Sequence, residues 1–197
     1  MHEKCNLAIF ASGTGSNFIN IYNNIINGKI NANLNILISN NPNCQAVNFA
    51  KNNGINYSII NKFRCKSIMD EILDVLNNNN IHLVLLAGYM KKIPEVVVNK
   101  YSRKIINIHP ALLPKFGGAG FYGMNIHEAV IKNREKETGI TIHFVDNDYD
   151  TGEIIYQEKI KVKNEDSPDI LAKRVLELEH KIYPEIVRQF CDKYKGG

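Results

Sequence analysis

The sequence predicts an α/β fold with a mostly parallel sheet covered by helices on both faces. Three observations predict it. Short, nearly continuous apolar runs recur, bounded by Gly, Asn and Pro, as strands buried on both faces do. Amphipathic stretches of helical spacing separate the first five of these runs, the βαβ arrangement whose crossovers are right-handed. The 197 residues, 44% of them hydrophobic, suffice for one sizeable core. With no internal repeat and no linker, residues 1–197 read as a single domain.

The first strand, "NLAIFA" (6–11), runs into the glycine loop "SGTGS", and a helix follows over 16–28. "LNILIS" (34–39), "NYSII" (56–60), "IHLVLLAG" (81–88) and "KIINI" (104–108) continue the strand series. Helical patterns at 44–53, 66–78 and 93–101 lie between them. After 108 come a short helix, "MNIHEAVIK" (124–132), and two more strands, 139–145 and 153–162. Ser167 and Pro168 have the residue types of an N-cap and a first helical position, so a final helix starts there and continues through Ile182-Tyr183-Pro184.

Composition narrows the function classes. A formal charge of +4 is mild, and basic clusters such as Lys91-Lys92 or Lys159-Lys161-Lys163 read as solvated faces and not as a nucleic-acid track. Cys5, Cys44, Cys65 and Cys191 have no CxxC or metal-finger spacing, so they read as reduced thiols in a cytoplasmic protein. His127-Glu128 lacks the second histidine of HExxH, and no metal is expected. No apolar run approaches the ~20 residues of a membrane helix, and no secretory leader opens the chain. "NNNN" at 77–80 reads as a loop.

The loop "ASGTGSNF" follows the first strand and opens a helix. Gly13 and Gly15 permit a tight turn and close backbone approach, and Ser16 and Asn17 sit at a helix N-terminus that favours an anion. Phe18 stands where the dinucleotide pattern GxGxxG has its third glycine, and the second strand ends in Ser39-Asn40-Asn41 instead of an acidic residue. A monophosphate is therefore expected there, with a purely structural βα turn as the alternative, and not NAD.

"KIINIHPALLPKFGG" (104–118) carries an amide and an imidazole, Asn107 and His109, out of a buried strand. In an open parallel sheet this is the ligand edge. "GITIHFVDNDYDTGEII" (139–155) is read as reaching the same end, offering Asp146, Asp148 and Asp150. One such carboxylate near His109 is expected to raise the imidazole's pKa and hold its charged form. An amide that steadies an oxyanion, a proton-moving histidine and an orienting carboxylate suit acyl transfer. No serine, cysteine or lysine is placed as nucleophile, so the attacking group belongs to a substrate.

With these residues in view, "NIHPALLPKF" and "GITIHFVDNDYDTGEII", with "ASGTGSNF" and "LEHKIYP" (178–184), resemble the folate-dependent formyltransferases from Asn6 to about Tyr183. The resemblance implies a three-layer, Rossmann-like fold of about seven strands. It implies transfer of a formyl group from 10-formyltetrahydrofolate to the amine of 5-phosphoribosylglycinamide (GAR), a step of purine synthesis. Asn107, His109 and Asp150 become the catalytic trio; Gly13, Gly15, Ser16 and Asn17 take the phosphate and Glu179 the ribose. Tyr89, Met90, Lys91, Ile93, Val145 and Asp146 take the folate, with Lys91 toward its glutamate tail. Small molecules are then the partners, with no nucleic acid or membrane, and the protein is a monomer or homodimer.

Ala119 and Leu176 depart from the family's commoner polar choices and bear on substrate affinity. His143, His180 and His127 are read as structural. Two related readings compete. A transfer-RNA formyltransferase is expected to carry a further C-terminal domain after Gly197, and a formyltetrahydrofolate hydrolase a regulatory domain before the catalytic one. A non-catalytic phosphate-sensing domain would have no use for the trio.

Overall fold

Side-chain alternation along the strands decides how the sheet is covered. In β1 (Cys5–Phe10), Leu7 and Ile9 enter one core and Ala8 and Phe10 the other, all fully buried. The structure, a computed structural model, describes residues 4–194. The strands that follow are β2 (Ala32–Ser39), β3 (Tyr57–Ile59), β4 (Leu83–Leu86), β5 (Ile105–His109), β6 (Glu137–Phe144) and β7 (Ile154–Lys161). The helices are α1 (Ser16–Ile26), α2 (Gln45–Asn52), α3 (Ile68–Asn78), α4 (Glu95–Lys100), α5 (Met124–Lys132) and α6 (Pro168–Lys193).

The seven strands form one sheet in the order β3-β2-β1-β4-β5-β6-β7. The first five are mutually parallel; β6 is antiparallel to β5, and β7 to β6. Phe18 of α1, Val47 of α2, Val130 of α5 and Val175 of α6 enter the Leu7–Ile9 core, whereas Leu76 of α3 and Val97 of α4 enter the Ala8–Phe10 core. That gives the three layers. The order reverses at β1, which pairs with both β2 and β4, and a crevice opens there beyond the strand ends.

Several boundaries differ from the sequence reading for local reasons. The helix expected at 93–101 starts at Glu95 because Pro94 occupies the N-cap and keeps Ile93 out of helical geometry. The strand expected over 81–88 narrows to β4, since Ile81 N–H still closes α3 on Leu76 O (3.0 Å) and Gly88 turns with φ 75°. Ser67 and Ser167 cap α3 and α6, each accepting from a backbone N–H at 3.3 Å. Pro184 lies inside α6 and has no N–H for the His180 carbonyl; Asn20 Nδ2 of α1 donates to that oxygen instead (2.7 Å). The proline thus fastens α6 to α1.

Candidate active site

The anion loop is shaped by Gly15, the N-cap of α1, with φ 72°. A Cβ there would lie 2.6 Å from Ala46 Cβ, so glycine is required both by conformation and by space. Unlike α3 and α6, α1 has neither a side-chain cap nor an acidic residue in its first turn. Its leading amides are left for a ligand, and Ser16 and Asn17 line the cleft. Gly15→Ala is expected to destabilise the fold by roughly 1–3 kcal/mol, read as a lower denaturant midpoint with an unchanged slope.

Ser12 ties this loop to the one after β4. Its N–H donates to Gly88 O (3.1 Å), and its hydroxyl accepts from Met90 N–H (2.9 Å) while donating to Asn40 Oδ1 (2.5 Å). The glycine loop and the strip Tyr89–Ile93 therefore move as one piece.

β5 extends beyond β4, since Leu86 pairs with Asn107, and this projects His109 over the crevice. β6 does not end beside His109 as the sequence reading has it. It runs antiparallel, so its last residue, Phe144, faces Ile106, and the loop 145–153 doubles back to bring up Asp150. Asp150 adopts φ 58°, which aspartate tolerates. Its Oδ1 lies 3.5 Å from His109 Nδ1 and 3.6 Å from His143 Nε2, and its Oδ2 accepts from Gly118 N–H (2.9 Å). His109 Nε2 donates to Phe116 O (2.8 Å).

The expectation that an aspartate holds His109 charged is corrected. Burial dominates and lowers the imidazole's pKa; the Asp150 charge and the Phe116 carbonyl oppose that but do not overcome it, and His143 adds to the lowering. The balance in Asp150 goes the other way. Burial pushes its carboxyl up, yet His143, the His109 charge and the Gly118 amide together hold it below the usual range. Asp150 is an ionised partner for a largely neutral ring.

His143, read as structural from the sequence, belongs to this cluster. Its Nδ1 donates to Phe144 O (2.8 Å), which leaves Nε2 to accept from Asn107 Nδ2 (3.1 Å). That bond fixes which way the Asn107 amide faces, with one N–H still free. The missing signal was strand register: antiparallel pairing puts Asn107 and His143 opposite each other. His180 does not line the cleft, whereas His127 does.

Glu179 of α6 is 7% exposed and accepts from Asn17 Nδ2 (2.7 Å). Burial raises its pKa to about 7, with the Asn17 bond opposing. One turn on, Tyr183 OH reaches both Leu86 O and Ile106 O (3.2 Å each), fixing α6 over the strand ends. Asn17 Oδ1 is buried without a partner among the described residues. Of the folate strip, Tyr89 stacks edge-on against Phe10 at 5.1 Å, and burial raises its phenol to about 12. The Asp146 carboxylate accepts from the Thr151 hydroxyl (2.8 and 2.9 Å) and from Asp148 N–H (3.2 Å), which holds the loop in place. One cleft of about 640 Å³ is lined by every catalytic, phosphate, ribose and folate candidate, and by Ala119 and Leu176. Among the described residues no group of three or more His, Cys, Asp or Glu is arranged for a metal, and no helix is long and apolar enough to cross a membrane.

Residues 5–187 match the formyl transferase family. The chain belongs to that family. It is 42% identical over 191 residues, 95% of its length, to a chloroplastic phosphoribosylglycinamide formyltransferase of Arabidopsis thaliana, covering 65% of that protein. It is 36% identical over 185 residues to the human trifunctional purine biosynthetic protein adenosine-3, covering 92% of this chain and 18% of that one. Among solved structures, a phosphoribosylglycinamide formyltransferase from Bacillus halodurans superimposes with TM-score 0.88 at 32% identity, covering 95% of this chain and 96% of the other. The chain spans 61% to 65% of the length of the plant relatives it matches.

Proposed function

We propose that this formyl transferase moves the formyl group of 10-formyltetrahydrofolate directly to the amine of GAR, giving formyl-GAR and tetrahydrofolate for purine synthesis. The observation that carries the reading is the meeting of Asn107, His109 and Asp150 in a cleft that also holds an uncapped helix N-terminus. The cradle of Gly13, Gly15, Ser16 and Asn17 takes the phosphate, and ionised Glu179 takes the ribose hydroxyls. The strip Tyr89, Met90, Lys91 and Ile93, with Val145 and Asp146, takes the folate.

The amine attacks the formyl carbon, and the free N–H of Asn107 donates to the oxygen as charge builds on it. The acceptor displaces the Phe116 carbonyl from His109. With that carbonyl gone the ring's proton moves to Nδ1, where it faces Asp150, and Nε2 takes the proton from the attacking amine and delivers it to N10 as the C–N10 bond breaks. Holding both substrates in one cleft supplies the proximity term, and no protein nucleophile is involved. The four free thiols fit a reducing compartment such as the cytoplasm.

The deciding assay offers 10-formyltetrahydrofolate with GAR, and separately with water alone, and follows tetrahydrofolate release. Release that depends on GAR is expected. Equal release without GAR identifies a hydrolase.

Glu179 gives this reading a pH signature. Its carboxyl is ionised above about 7 and protonated below it, so KM for GAR is expected to rise as pH falls from 8 to 6 while KM for the folate stays flat. Glu179→Gln should abolish that slope and raise KM for GAR at pH 8. The same variant should also gain stability at pH 8. The unfolded carboxyl ionises near 4.5 and the folded one near 7, so the folded state loses stability as pH rises through that window.

A further inference from the structure

The cleft contains one buried polar side chain that the chemistry above leaves unused, His127 of α5. It is 5% exposed and lines the cleft wall formed with Val175 and Glu179 of α6. Its Nδ1 is buried with no hydrogen-bond partner among the described residues. His180, outside the cleft, likewise has a buried ring nitrogen, Nε2, without a partner among the described residues. His143 satisfies both ring nitrogens, and His82 accepts from Asn6 N–H on Nδ1 (3.0 Å) and donates from Nε2 to Tyr194 OH (3.0 Å). Among the described residues no hydrogen bond holds the His127 ring. An unmet buried polar group is a cost, and of the two histidines that carry one only His127 lines the cleft.

The ring's electrical state follows from its surroundings. Burial, and then the neighbouring His109, lower its pKa, so it is neutral near pH 7. A buried nitrogen without an acceptor more readily carries the lone pair than an orphaned N–H. The proton therefore sits on Nε2, the ring atom left to meet the cleft. His127 lines the same cleft as Glu179, on a helix that packs against α6, and is near enough to His109 for the two rings' charges to interact. Along GAR the groups run phosphate, ribose, amide, amine. With the ribose at Glu179 and the amine at His109, the group between them is the amide.

We propose that His127 is an acceptor-binding residue whose Nε2–H donates to the amide carbonyl oxygen of GAR and so aims the adjacent amine at the formyl carbon. This inference rests on the acceptor being GAR. A neutral donor suits the position, since a cation there would repel the charge that His109 acquires during proton transfer.

The test compares His127→Leu, His127→Gln and His127→Asn in steady-state kinetics with GAR and 10-formyltetrahydrofolate varied separately, alongside thermal unfolding. His127→Leu is expected to raise KM for GAR by about 5-fold or more, as loss of one such bond does. KM for the folate and the melting temperature should be unchanged. His127→Gln carries an amide N–H at the reach of Nε2 and should restore most of the loss; His127→Asn, one atom shorter, should not. A KM for GAR within twofold of wild type in the Leu variant overturns the proposal, as does an equal change in both KM values, the mark of a merely structural residue. If the Leu variant does not fold, the Gln and Asn variants decide, and identical KM values for GAR in those two overturn it. Wild-type enzyme with no GAR-dependent turnover brings down the assigned reaction and this inference together. GAR-dependent wild-type turnover with indifferent variants removes only His127.

Discussion

His109→Ala lowers turnover by ~10²–10⁴-fold, the range by which a positioned proton-transfer group accelerates a reaction, with both KM values little changed. The ring is buried, its Nδ1 faces Asp150 at 3.5 Å, and its Nε2 is held by the Phe116 carbonyl at 2.8 Å. Alanine removes the group proposed to carry the proton between the amine and N10. The phosphate cradle, Glu179 and the folate strip are untouched, so the loss falls on kcat. Stopped-flow or steady-state assays at saturating substrates check it; unchanged kcat removes His109 from the chemistry.

Asp150→Asn is expected to have the next largest effect, on the order of 10²-fold in kcat, with a diagnostic movement in pH. Burial lowers the His109 pKa and the Asp150 charge works against that lowering. Taking the charge away lets burial act alone, so the pKa falls further and the acid limb of the kcat profile moves to lower pH. Turnover drops because the Nδ1 proton loses its partner and the ring its orientation. A limb that stays in place, or moves to higher pH, contradicts the assignment; an NMR titration of the ring gives the same information without turnover. Stability carries a related signature. The unfolded imidazole takes its proton near 6.5 and the folded one only at lower pH, so acidification through that window costs the native state stability.

Both faces of the sheet were legible because they are written as alternation: Leu7 and Ile9 against Ala8 and Phe10 need no long-range information. The glycine loop was legible for the same reason, since Gly15 answers a backbone demand that is local. The site residues Asn107, His109 and Asp150 could be named from their motifs, but their electrostatics could not. Whether burial or a carboxylate governs an imidazole depends on how much of the chain closes over it, and the Phe116–Gly118 segment does so here. His143 reads as structural from the sequence because its place beside Asn107 comes from pairing β6 against β5 in one register. His127 reads the same way because what marks it is a missing partner inside the cleft, which no sequence displays.

In the proposed reaction the formyl group passes between two bound substrates without resting on the protein. Wild-type enzyme incubated with 10-formyltetrahydrofolate labelled in the formyl carbon, then acid-quenched, tests it most directly. No label is expected on the protein at any time, with label appearing on GAR once GAR is added. Labelled protein that forms before GAR is added, and then gives its label up to it, rules out direct transfer.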